Sequence, residues 1–189
     1  PGSMISVQLL SGDMSVGADG TVTYIDGRRI YAFGHRFLSL GATEVPFARS
    51  EVLALLPSLQ TSFKISSPVE WMGALLADRS TGVAGEVGRR ATLIPLAITV
   101  ASHGGGAVRR QSYQMEMVND SVLSPLLVQM ALSSAIEATE QSVGETTLAV
   151  RGEIRFRGGA PPLRISSSHS GDQSVPQLAA LSPAVTLAY

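Results

Sequence analysis

No cysteine occurs among the 189 residues, which excludes disulfides, thiol nucleophiles and thiolate metal sites and leaves the redox compartment open. Charge is scarce as well. Charged residues make up 15% of the chain, against roughly 25% in ordinary soluble domains, and the net charge is −1. Such a balance offers no global attraction to nucleic acid or to anionic lipid. Lysine occurs once, as Lys64. Aromatics reach only 5%, so small and branched aliphatic side chains must build most of the core. Hydrophobic residues nonetheless reach 44%, and with so few charges to cover the outside, exposed apolar surface is hard to avoid. Self-association into a homo-oligomer, or docking on further parts of the parent chain, is the expected way to cover it, which makes a protein or peptide the expected partner. Long hydrophobic runs are missing too. The uncharged window from Ser121 to Ile136 contains Ser, Pro and Gln and is too short and polar for a membrane span.

Pro1-Gly2-Ser3 ahead of Met4 reads as a cleavage scar and is set aside. The chain ends in the apolar stretch Ala184-Val185-Thr186-Leu187-Ala188-Tyr189 with no stop signal, so the native protein is expected to continue. Residues 4–189 suffice for one domain with a real core, with an internal break near 103–107 at Gly104-Gly105-Gly106.

Most of what is present reads as strand. From Gly12 to Phe37 the chain suggests three short strands tied by two Asp-Gly turns, Asp19-Gly20 and Asp26-Gly27. Asp-Gly between β-rich runs is a hairpin signal, because the left-handed φ of tight turns comes readily only to Gly, Asn and Asp. At the second turn, a two-residue turn and a four-residue loop through Arg29 would set different registers. Ile5–Leu10 is an entry strand. Glu51–Leu56, bracketed by Pro46 and Pro57, fits a short helix or a strand. Further strands are expected over 61–66, 69–76, 91–101, 108–118, 147–156 and 163–168, with 81–88 a tight turn or kinked strand. In the 147–156 strand Leu148, Val150, Ile154 and Phe156 alternate with Arg151, Glu153, Arg155 and Arg157. One long helix opens at Ser124-Pro125 with Ser as N-cap, presents Leu127, Met130, Ala131, Ser134 and Ala138, and stops at Gly144. A short C-terminal helix starts at Ser174-Val175-Pro176. The balance is mainly β, a barrel-like or sandwich core rather than a parallel α/β sheet.

Chemistry concentrates at His35, which the third strand delivers at its end. A histidine there serves as a base, or it simply bonds a neighbouring carbonyl. His103 and His169 adjoin glycine- and serine-rich loops. The three histidines lack HxxxH or HExxH spacing, so neither a metal nor a cofactor is expected. Lys64 lies near Ser62 and Ser66, where a Ser-Lys dyad competes with a solvent-facing lysine. Gly82, Gly85 and Gly88 match neither nucleotide-binding glycine pattern, which leaves packing as their reading. Arg151, Arg155 and Arg157 read as an exposed edge, and Asp78-Arg79-Ser80-Thr81 as a turn.

Gly20-Thr21-Val22-Thr23, Asp26 and Tyr31-Ala32-Phe33-Gly34-His35, followed by Gly73 and Gly82-Val83-Ala84-Gly85, resemble the SpoIVB-type serine peptidases, the sporulation signalling proteases of endospore formers. The resemblance covers roughly residues 12–101. It implies a bacterial, extracytoplasmic protein with a chymotrypsin-related β-barrel and His35 as general base. The family's nucleophile loop, Gly-x-Ser-Gly-Ser-Pro, has no counterpart here. The nearest serines are Ser170, followed but not preceded by the required Gly, and Ser174, which also reads as the N-cap before Pro176. A serine hydroxyl needs a base to take its proton and N–H groups to receive the oxyanion. The expectation is therefore a peptidase-like domain, catalytically incomplete, that acts as a binding or assembly module. The competing expectation is a serine endopeptidase with His35 as base and Ser170, Ser174 or a serine beyond residue 189 as nucleophile.

Overall fold

A computed structural model of the chain describes residues 1–60, 62–103, 108–139 and 146–171. The described residues form ten strands and one helix, so the mainly β expectation with one long helix stands. The short C-terminal helix, the Gly144 stop and the triple-glycine break lie outside the described residues. Two compact units divide the chain: Pro1–Pro95 with Met115–Asp120, and Leu96–Gln114 with Ser121–Tyr189.

The first unit is organised around β1 (Met4–Gly12), whose residues 4–10 are buried without interruption. A strand buried on both faces reads as a continuous run rather than an alternation. It pairs antiparallel with β2 (Val16–Asp26) on one side and β4 (Gly41–Leu56) on the other. Beyond β2 come β3 (Arg29–Ala32), β6 (Gly82–Val87) and β5 (Phe63–Arg79), and β5 returns to β4. The pairings thus run β1-β2-β3-β6-β5-β4 and back to β1. Val7, Leu10, Val45, Phe47, Leu75 and Val83 fill the core. The last residues of β8 (Arg109–Val118) also join β1, with Leu10 opposite Met117.

Several expectations are corrected. Asp19-Gly20 is not a turn. It lies within β2, with Ser6 opposite Asp19 and Ile5 opposite Gly20. The Asp19 carboxylate accepts the Ser6 hydroxyl, which in turn accepts the Ser50 hydroxyl at 2.6 Å, so this aspartate serves the ladder. The second turn is real, but its two-residue loop is Gly27-Arg28, between the pair Asp26 and Arg29. Glu51–Leu56 is strand, the outer part of β4. Pro46 does not bracket it; the strand runs through Pro46, which pairs opposite Ala74 on β5 and lies outside the Phe47–Arg49 stretch that pairs with β1, an edge position where a missing N–H is tolerated. The strands expected over 61–66 and 69–76 are one 17-residue strand, β5.

β7 (Leu93–Ser102) neighbours β8, and within the second unit Thr99 and Ser112 bond through their hydroxyls at 3.0 Å. Helix α1 (Leu123–Thr139) begins one residue before Ser124, which is buried inside it rather than capping it. Its buried stripe is Leu123, Leu127, Ala131 and Ala135 at the i, i+4 spacing of one helix face. Met130, Ser134 and Ala138 are exposed, so the face is rotated from the expected one. Ile136 packs with Val100, Leu148, Val150 and Ile165, joining the helix to β7, β9 (Thr146–Ile154) and β10 (Leu163–Gly171). The β9–β10 hairpin keeps the expected alternation: Val150 and Ile154 are half-buried, Arg151 and Glu153 exposed.

Candidate functional site

His35 stands on a segment, 33–40, that two anchors hold. The first is aromatic. Phe33 leaves β3 with φ 72°, a left-handed value that is unusual for a bulky residue. Its N–H donates to the Thr21 carbonyl at 3.0 Å, and its ring lies over Gly20, where any Cβ would run into it. Phe37 meets that ring edge-on with centroids 5.5 Å apart, and the His35 ring lies 5.8 Å from it.

The second anchor is Asp78, near the end of β5 and only 3% exposed. Its Oδ1 accepts the Phe37 N–H at 2.8 Å; its Oδ2 accepts those of Leu38 at 2.7 Å and Leu40 at 3.0 Å. Burial pushes its pKa up. The N–H donors of Leu40, Phe37, Leu38 and Ser39 outweigh that and hold it below the usual aspartate value. Within this clamp Ser39 adopts φ 63°. The expected turn is confined to Ser80-Thr81, between the pair Arg79 and Gly82, and Asp78 is a buried anchor instead. The signal was available: a carboxylate directly after the apolar run Trp71–Ala77 demands several donors if it is buried.

The imidazole itself is exposed, and Nδ1 lies 2.7 Å from the Arg36 carbonyl. A carbonyl only accepts, so Nδ1 carries the proton and the neutral ring keeps its lone pair on Nε2. That tautomer suits a base. The same bond is also what a histidine of purely local role would make. Among the described residues no carboxylate bonds the ring.

The candidate nucleophiles are differently placed. Ser170 sits in the β9–β10 ladder of the second unit, opposite Thr147, and the two hydroxyls bond at 2.9 Å. A regular strand offers no pair of converging N–H groups for an oxyanion. Ser174 lies outside the described residues. The His169 backbone pairs opposite Leu148, and His103 is exposed after β7. Ser62 donates to the Ser58 carbonyl at 3.2 Å rather than facing Lys64, whose Nζ lies 4.0 Å from Met4 Sδ. Glu153 bonds Arg155 at 2.7 Å and lies 3.6 Å from Arg164, so part of the arginine face is ion-paired in place. Gly73 and Gly85 stand where β5 and β6 backbones approach too closely for a Cβ, a packing role.

A second surface escaped the sequence reading. From Thr43 to Ser50 every residue of β4 but Arg49 is buried or half-buried, and every residue from Glu51 to Leu56 is exposed. Its partners over that length lie on β5, from Ser67 to Phe63. β1 pairs with β4 only through Phe47–Arg49, and β6 with β5 only from Gly73 onward. Between these limits the hairpin is a two-stranded arm that carries exposed Leu53, Leu55 and Leu56 on one strand and Phe63, Ile65 and Trp71 on the other, with Leu59 fully exposed in the connection. At its base a groove of about 240 Å³ is lined by Pro68, Val69, Glu70 and Trp71 with Gln8 and Ala48.

Taken together, the chain is a β-rich protein with an anchored histidine segment and an apolar hairpin arm. No family model, no curated protein and no solved structure matches it. Among the described residues no helix is long and apolar enough to cross a membrane.

Proposed function

We propose that this chain is a SpoIVB-peptidase-like β-rich domain of a bacterial protein, catalytically incomplete, that works as a binding or assembly module for protein. The observation that carries the reading is the arm. An isolated two-stranded hairpin is marginal in water, and large apolar side chains on it are stabilised only by contact with something else. The ring of strands β1-β2-β3-β6-β5-β4 supports a barrel-like core for that module. The occupied hydroxyl of Ser170, bonded to Thr147 in a strand ladder, supports the absence of catalysis.

A serine-reactive fluorophosphonate probe tests it. No specific labelling is expected. Labelling of Ser170 or Ser174 that disappears in His35→Ala overturns the reading in favour of a serine endopeptidase. One observation favours that second reading: the Nε2 lone pair of an exposed imidazole on a segment clamped by Asp78 is what a general base requires.

A further inference from the structure

We infer that the partner of the β4–β5 arm is the same arm of a second copy, the two lying antiparallel about a two-fold axis so that each tip seats in the groove at the other's base. This deepens the assembly reading and rests on it. Three observations point to a copy rather than to another molecule.

The first is extent. Nine large apolar side chains between Val52 and Trp71 are each at least 41% exposed along both strands of the arm, so a partner must run its length, as a second arm does. The second is charge. Lys64, one pair below the last pair of the arm, makes no ion pair among the described residues. Glu70 lines the groove at the base, and Glu51 lies beside it, with Arg49 3.6 Å from Glu51 and 3.9 Å from Glu70, leaving one net negative charge. An antiparallel two-fold pairing brings tip cation to base anion twice, whereas a parallel one sets like on like. With a net charge of only −1, two copies do not repel.

The third is size. A groove of about 240 Å³ is smaller than the roughly 300–1,000 Å³ of small-molecule sites. Its lining is mixed, Gln8, Ser11, Ser15 and Glu70 beside Pro68, Val69 and Trp71, and its apolar side takes one aliphatic anchor, which the tip supplies as Leu56 or the fully exposed Leu59. An aliphatic anchor held against an aromatic wall is a contact type that interface hot spots use.

Light scattering on the 189-residue chain across a concentration series tests the inference, with emission from Trp71, the only tryptophan, as an internal reporter. A reversible dimer is expected, with a blue shift of Trp71 emission as it forms. Leu59→Asp is expected to weaken the dimer about a hundredfold. Its melting temperature in dilute solution should stay unchanged, since a fully exposed side chain holds nothing within the monomer. Lys64→Glu is expected to weaken association several-fold, and Glu70→Lys in the same chain to restore it. A wild-type chain that stays monomeric at every concentration overturns the inference, as does a dimer indifferent to Leu59→Asp. The serine-probe result is independent of both, so a monomer that remains unlabelled removes the two-fold pairing and leaves the binding-module reading standing.

Discussion

Asp78 and Leu38 are 40 residues apart in sequence, yet the Asp78 carboxylate accepts the Leu38 N–H at 2.7 Å. With the Phe37 and Leu40 N–H groups on the same carboxylate, one buried side chain satisfies three backbone donors of the segment that follows His35. Asp78→Ala should cost about 1–3 kcal/mol, since it removes one carboxylate that three part-buried N–H groups share. Asp78→Asn keeps the shape but turns an NH₂ toward those donors, and should cost about 2 kcal/mol. Urea unfolding measures both. The loosened segment should also be cut faster by trypsin after the exposed Arg36.

The same carboxylate sets an acid limb. Burial raises its pKa, the N–H groups of Leu40, Phe37 and Leu38, with that of Ser39 nearby, lower it, and the net displacement is downward. A folded-state pKa below the unfolded one contributes stability that is fully present above the unfolded value and is lost as pH falls through the folded one. Glu44 acts with the same sign. The Thr92 N–H lowers its pKa most, burial opposes, and the Thr92 side chain and Arg89 lower it further. Stability should therefore hold from neutrality down to about pH 5 and fall below about pH 4, where aspartate and glutamate ordinarily titrate. Unfolding free energies measured down a pH series should show a shallower acid limb in Asp78→Asn than in the wild type. An unchanged limb would mean that folding does not displace the Asp78 pKa.

Phe33 depends on an absence. Its ring occupies the space a side chain at position 20 would take. Gly20→Val should force the ring out, cost about 1–3 kcal/mol and disturb the Phe33–Phe37 pair, since overpacking at a closed site displaces neighbours. Thermal unfolding reads the stability, and aromatic NMR shifts read the ring. Gly27→Ala should cost about 1 kcal/mol by a different route, because nothing lies near its missing Cβ and only its left-handed φ of 58° resists the change.

These residues also mark how far sequence reading reaches. Local rules located the Gly27 turn, because a two-residue hairpin leaves its mark in adjacent residues. Asp19-Gly20 carries the same mark and is not a turn. Its glycine is required by Phe33, thirteen positions on, and its aspartate by Ser6, thirteen back. No local pattern distinguishes the two. The alternation around Val150 and Ile154 was legible because one face meets Ile136. Asp78 was misread as part of a turn, because its partners lie 38 to 41 residues away. The arm was harder still. EVLALL fits a short helix or a strand and FKIS a strand, with nothing local to say which stretch meets the core, and only tertiary pairing shows that β1 and β6 stop short of them.

That last point yields a contrast within one strand. Phe47 and Leu53 both belong to β4, six residues apart. Phe47 is 2% exposed, flanked by β1 and β5, while Leu53 is 67% exposed on the arm. Phe47→Ala should cost about 3–5 kcal/mol, the transfer of a buried ring plus the cavity it leaves. Leu53→Ala, measured on dilute monomer, should lie within about 0.5 kcal/mol of wild type. At higher protein concentration the order should change. Phe47→Ala, if still folded, should associate as wild type does, because its side chain faces the core of its own chain. Leu53→Ala should associate more weakly. Equal losses of monomer stability from the two substitutions would mean that the arm packs on its own chain, and the case for an external partner would fall with it.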